Sequence, residues 1–75
     1  MSVSKIDRIY SEIGKRIVTA RLDKGMSQEK LAAESGIDRS HIGFIEQGRR
    51  KPTLSTLYKI AHSLGISLER LFKGL

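Results

Sequence analysis

The sequence contains no cysteine and no tryptophan, and only one proline, two tyrosines and two phenylalanines among 75 residues. Without cysteine there is no disulfide, no thiol nucleophile and no cysteine-based zinc site. A chain this short buries only about 60% of its unfolded surface, so its core supplies a few kcal/mol. Stability then rests on close helix packing, on dimerisation, or on both. The apolar content of 39% is enough for a globular core. No apolar run reaches the about 18 residues of a membrane span. Met1-Ser2-Val3-Ser4-Lys5 leads into charged residues, so no signal peptide is expected. The setting expected from these absences is soluble, reducing and cytoplasmic.

What is abundant is positive charge. Lys and Arg number 14 against 8 Asp and Glu, a net charge of +6. The balance is uneven: +3 over 1–24, −2 over 25–38, +3 over 39–51 and +2 beyond. Arg49-Arg50-Lys51 is the densest cluster. An excess of this kind favours an anionic partner, although a basic loop also serves solubility alone.

Gly25, Gly36, Gly48, Pro52 and Gly65 cut the chain into five short segments. In the first, Ile6, Ile9, Tyr10, Ile13, Ile17, Val18 and Ala20 form a stripe at helical spacing. Ser4 or Ser2 caps its start, and Lys24-Gly25 fits its stop. Gly14 inside the stripe costs about 1 kcal/mol against alanine, which marks either close packing or a weak point. The second segment starts at Ser27, turns Leu31 and Ala32 inward and stops at Gly36. The third starts after Asp38, turns Ile42 and Ile45 inward and stops at Gly48. Two short helices joined by a tight glycine-containing turn make a helix-turn-helix. The fourth follows Thr53, with Leu54, Leu57, Ile60, Ala61 and Leu64 as its stripe. The fifth runs from Ser67 to Phe72 or Lys73. No stretch alternates with period two, so the expected class is all-α.

The ordered set Ser27-Gln28-Glu29-Lys30-Leu31-Ala32, Ser35-Gly36-Ile37-Asp38, Ile42, Ile45-Glu46-Gln47-Gly48, Pro52-Thr53-Leu54, Leu57, Ile60-Ala61, Leu64-Gly65-Ile66-Ser67 and Leu71-Phe72 resembles the Cro/CI-type (XRE-like) helix-turn-helix family. The resemblance covers roughly residues 13–72. It implies a five-helix, lambda-repressor-like bundle over 1–75, with the helix-turn-helix at about 27–47 and dimerisation helices at about 53–73. It also implies double-stranded DNA as partner, with the helix at about 38–47 in the major groove.

Carried over residue by residue, the resemblance puts Arg39 and Ser40 against base edges. Arginine suits guanine because its fork meets O6 and N7 together. Without DNA, an arginine in a first helical turn opposes the helix dipole. Gly43 and Phe44 fall on the same open arc, with Gly43 allowing close approach to a groove wall. Phe44 admits two readings: contact with a thymine methyl, or a fold back onto the core. The family often has a polar residue there. Gln28, His41, Gln47, Arg49 and Arg50 are expected at backbone phosphates, with Lys51 adding field. Arg21 and Glu46 are expected to form an internal ion pair. The C-terminal segments hold more apolar side chains than a short hairpin hides. The resemblance therefore places a homodimer contact at Tyr58, Leu68, Leu71, Phe72 and Leu75. Val3, Ile6, Ile9 and Tyr10 either pack across the C-terminal helices or add to that contact.

No cofactor or metal is expected. His41, Ser40 and Asp38 are not a triad, because neighbouring positions on one helix do not converge. His41 and His62 do not make a zinc site; His62 is expected partly buried or at an interface. An enzyme lacks support, since no nucleophile–base pair, carboxylate pair or phosphate loop exists. The leading reading is a stand-alone regulator that binds a palindromic operator as a homodimer and is nucleoid-associated. It looks most like a restriction–modification controller protein, with small prophage repressors nearly as good a fit. The alternative is the antitoxin of a toxin–antitoxin pair, whose apolar patch would hold a protein partner.

Overall fold

The computed structural model describes residues 4–75. Ser2 as an alternative cap and Val3 as a packing residue lie outside the described residues. Five helices follow in order: α1 Lys5–Asp23, α2 Gln28–Ser35, α3 Arg39–Glu46, α4 Leu54–Leu64 and α5 Leu68–Phe72. No strand occurs among the described residues.

Each helix starts where a side-chain oxygen can satisfy an orphan backbone N–H. Ser4 accepts from Asp7, Ser27 from Lys30, Asp38 from Ser40, Thr53 from Thr56 and Ser67 from Arg70. Such a cap contributes typically about 1 kcal/mol. α2 and α4 stop at left-handed Gly36 and Gly65.

The core takes one side of every helix. Ile13 and Ile17, Leu31, Ile42 and Ile45, Ile60 and Leu64, and Leu71 are its largest fully buried side chains. α1 packs on α3, α4 and α5, while α2 packs on α3 and α4. Ile9 and Tyr10 pack onto this core, whereas Ile6 is half exposed. Thus only part of the N-terminal apolar stripe serves the interior.

Among the long-range tethers on α1 are two to residues past α3. Arg16 Nη1 donates to the carbonyls of Lys73 at 2.7 Å, Leu71 at 3.2 Å and Arg70 at 3.4 Å. It thereby satisfies the open carbonyl end of α5 with positive charge. At the other tether, Lys51 Nζ lies 2.8 Å from the Asp7 carboxylate. Lys51 therefore has a defined partner within the chain.

The Lys51 hydrogen bond, followed by the Ser4 hydroxyl, holds the Asp7 carboxyl below the usual carboxylate range. A lowered carboxyl pKa stabilises the fold above the unfolded value. That contribution fades as pH falls through the folded value. In a Lys51→Met variant, the Asp7 carboxyl carbon is expected to titrate at higher pH than in the parent, read by NMR. An unmoved midpoint would assign the shift to Ser4 instead.

Candidate nucleic-acid interface

The turn between α2 and α3 is three residues, Gly36-Ile37-Asp38. It is fixed from inside. The Ser35 hydroxyl, buried, accepts from Ile37 N–H at 3.3 Å and reaches the Ala32 carbonyl at 3.4 Å. Ile37 packs on the core. Ser35, in sequence part of the Ser35-Gly36-Ile37-Asp38 motif, thus ties α2 to the turn.

α3 buries Ile42 and Ile45, which leaves an outward arc. Arg39, Ser40 and Gln47 are exposed on it, and His41 and Phe44 are half-buried. Gly43 departs from the expectation of an open position. It is buried, because the Arg39 side chain lies over it; a Cβ there would sit 3.0 Å from Arg39 Nη1. Gly43 offers little surface of its own in this arrangement.

Arg39 also has a partner within the chain. Its Nε lies 3.5 Å from Glu29 Oε1, both side chains being largely exposed. This contact offsets the unfavourable position of a cation at a helix start. The Glu29 carboxyl is held below the usual range, first by its own backbone N–H at the start of α2 and then by Arg39.

Behind α3, Glu46 gathers three donors. Arg21 Nε meets Oε2 at 2.7 Å, Arg21 Nη2 meets Oε1 at 3.1 Å and Gln28 Nε2 meets Oε1 at 2.7 Å. Arg21 Nη1 also donates to the Met26 carbonyl at 2.9 Å, pinning the α1–α2 loop. The ion pair between Arg21 and Glu46 is bidentate and lies with side-chain exposures of 12% and 4%, so it is desolvated. The Gln28 carboxamide, expected at a phosphate, is thus already donating inward. The backbone N–H at the start of α2 is also open at that position.

Past α3 the chain reverses at Gly48, with φ +73°. A Cβ on Gly48 would lie 3.0 Å from Ser11 Cα, so α1 also restricts this position. The reversal places Arg49 and Arg50 beside Phe44, with guanidinium carbons 5.2 and 5.1 Å from the ring centroid. Gln47 Oε1 accepts from Arg49 at 3.4 Å. Phe44 therefore does not fold back onto the core; it lies outside the core packing and carries two arginines.

The expected dimer face divides. Leu71 is fully buried in the core and is removed from that set. A five-residue helix with one inward position has to spend it on a large apolar group, and α5 spends it on Leu71. Leu68 and Phe72 are half-buried against the core, while Tyr58 and Leu75 are exposed at 55% and 41%. His62 is exposed and stacks on Tyr58 with centroids 5.8 Å apart, which corrects the expectation of partial burial. Arg16 and the Ser11–Gly48 contact were missed by sequence reasoning. Their partners are remote backbone atoms, which no local pattern marks.

Among the described residues no group of His, Asp or Glu is placed to hold a metal ion. No described helix is long and apolar enough to cross a membrane.

The geometry agrees with known proteins. A helix-turn-helix family model matches residues 17–71. The crystal structure of the restriction–modification controller protein C.AhdI from Aeromonas hydrophila superposes with a TM-score of 0.82 at 41% identity, covering 84% of this chain and 96% of that one. The control protein C.MunI of a Mycoplasma species is 38% identical over 68 residues, 89% of this chain and 92% of its own. An uncharacterized HTH-type transcriptional regulator of Sinorhizobium fredii is 40% identical over 55 residues, 73% of this chain and 71% of its own. The chain spans only 32% to 56% of three longer regulators that it also matches. With a family model over most of its length and regulators among its relatives, the chain belongs to the helix-turn-helix family of transcriptional regulators, whose members similar to it include restriction–modification controller proteins.

Proposed function

We propose that this protein is a sequence-specific regulator that binds a palindromic double-stranded DNA operator as a homodimer, with α3 in the major groove. The observation that carries the reading is the outward arc of α3. Arg39 and Ser40 stand at its start, and Arg49 and Arg50 at its end, all exposed. A helix presenting polar groups at its N-terminus to base edges, flanked by cations for phosphates, is how this motif docks. Arg39 and Ser40 read bases. Phosphates are met by His41, Gln47, Arg49, Arg50 and the start of α2 at Gln28. The dimer forms through Tyr58, Leu68, Phe72 and Leu75, setting the two copies of α3 about 34 Å apart, one turn of DNA. The controller role is favoured within the family because similarity to C.AhdI and C.MunI extends over nearly their whole lengths.

A selection from random duplexes at near-physiological salt tests this reading. The expected product is an enriched inverted repeat with half-sites about one helical turn apart. Retention that fades with salt and enriches nothing would leave only charge attraction, and a search for a protein partner would follow.

The roles of the two ends of α3 should separate by mutation. Arg39→Ala is expected to cost about 1–3 kcal/mol at one base position and to relax specificity there, while Arg49→Ala weakens all sequences alike. Binding isotherms on single-base variants of the selected site check it. Uniform losses for both variants would remove the division of labour.

A further inference from the structure

We infer that Phe44 is the positioning residue of a two-arginine clamp for the DNA backbone and is not a reader of bases. The inference rests on the DNA-binding reading above and identifies what orders its phosphate contacts.

The clamp follows from how α3 stops. Gly48 N–H donates to the Ile45 carbonyl at 3.0 Å, and Arg49 N–H donates to the Phe44 carbonyl at 2.9 Å. This pair of bonds closes a helix through a left-handed glycine and sets the residue after the glycine against the third-last helical position. Here those two residues are Arg49 and Phe44. The side-chain contact that usually completes such a stop is apolar; in this chain a guanidinium meets an aromatic ring. Arg50 joins at the same distance range, and both lie within the reach of a cation–π attraction. Phe44 is half-buried, does not pack on the core, and has both guanidinium groups against its ring.

The charge of the cluster is unbalanced. Arg16, Arg21, Lys30, Arg39 and Lys51 each have a carboxylate within 4 Å, but among the described residues neither Arg49 nor Arg50 has one. Two cations gathered on one ring repel each other. An anion that accepts from both relieves this repulsion, and a phosphodiester has the oxygens to do so. Ordering two rotamer-rich side chains in advance removes a cost that binding would otherwise carry. The resulting effect is blind to sequence, because the backbone is the same at every step.

The test measures the parent, Phe44→Leu, the Arg49→Ala/Arg50→Ala double variant and the triple variant on a random-sequence duplex. A panel of single-base variants of the selected site is measured in parallel. Phe44→Leu is expected to weaken the random duplex roughly five- to tenfold, with the ranking of the panel unchanged. It should add nothing in the double-alanine background, and Phe44→Tyr should bind like the parent. In the free protein, the side-chain protons of Arg49 and Arg50 should lose their upfield ring-current shifts when Phe44 becomes leucine. A changed preference at one base position that persists in the double-alanine background would overturn the clamp and make Phe44 a reader. So would an unchanged affinity of Phe44→Leu for the random duplex, even where the selection finds an operator. A selection that enriches no site while Phe44→Leu still weakens the random duplex would keep the clamp and remove the operator.

Discussion

Glu46→Ala is expected to destabilise the protein by about 3–5 kcal/mol, the range for removing one partner of a buried ion pair. For a chain of this size total stability is only about 4–11 kcal/mol, so the variant stands near the edge of folding. The loss has little to do with the attraction between the charges. Arg21 is desolvated, so without Glu46 its Nε and Nη2 lose their acceptor while water remains excluded. Gln28 Nε2 loses its acceptor as well. Replacing both ends with apolar groups, Arg21→Met with Glu46→Leu, removes the charge along with the acceptor. Such exchanges are often neutral or better, so the double variant should recover most of the loss. Urea midpoints at unchanged m-value measure both. A single variant that loses less than about 1 kcal/mol would show that water reaches Arg21 and that the pair is effectively a surface pair. Recovery of stability without recovery of DNA affinity would identify the function of the pair: it ties the end of α3 to α1 and the α2 start, and so sets how α3 is presented.

The helices were legible because every start carries its own chemistry. Ser4, Ser27, Asp38, Thr53 and Ser67 are all side chains that prefer to accept from the first turn, and all five do so. The core stripe was legible for the same local reason, a spacing of three and four. The family resemblance supplied what spacing does not, the pairing of Arg21 with Glu46 across 25 residues. Three readings were incomplete because a side chain had more than one possible partner. Gln28 had a phosphate role by resemblance, and its carboxamide also donates to a carboxylate from α3, which no local spacing marks. Gly43 was placed on the correct arc, yet the long Arg39 side chain four residues earlier folds over it. Leu71 stood in an apolar run where every residue suited either core or interface, and the decision depended on which way a five-residue helix faces. Phe44 shows the limit most plainly. Its partners are the two arginines just past the helix stop, and a helical wheel ends where the stop begins.

The second large effect is expected at Gly14, and its sign runs against helix propensity. In an isolated helix, Gly→Ala gains about 1 kcal/mol. In α1, the added Cβ would lie 2.5 Å from the Ile45 carbonyl oxygen and 2.7 Å from that of Glu46. Both obstacles are backbone, so no rotamer change relieves the clash and the two helices have to separate. Overpacking of this kind costs about 1–3 kcal/mol and sometimes more, which outweighs the propensity gain. A net loss of about 2 kcal/mol corresponds to a Tm lower by roughly 10 °C or more. Gly43→Ala is the matched control. It also sits inside a helix, but its Cβ would meet only the end of the flexible Arg39 side chain at 3.0 Å. There the propensity term should dominate, giving a gain approaching about 1 kcal/mol. Two glycine-to-alanine changes with opposite effects on Tm would show that α1 and α3 touch backbone to backbone at Gly14. A gain at both would mean that the helices are not in that contact. The contact matters beyond stability, because the carbonyls pressed on Gly14 belong to the last turn of α3, next to Gly48 and the arginines. Pushing them away moves the helix end that carries Glu46 and Phe44. Gly14→Ala, buried between α1 and α3 and outside the proposed DNA-contact residues, should therefore weaken DNA binding even at temperatures where the variant is fully folded.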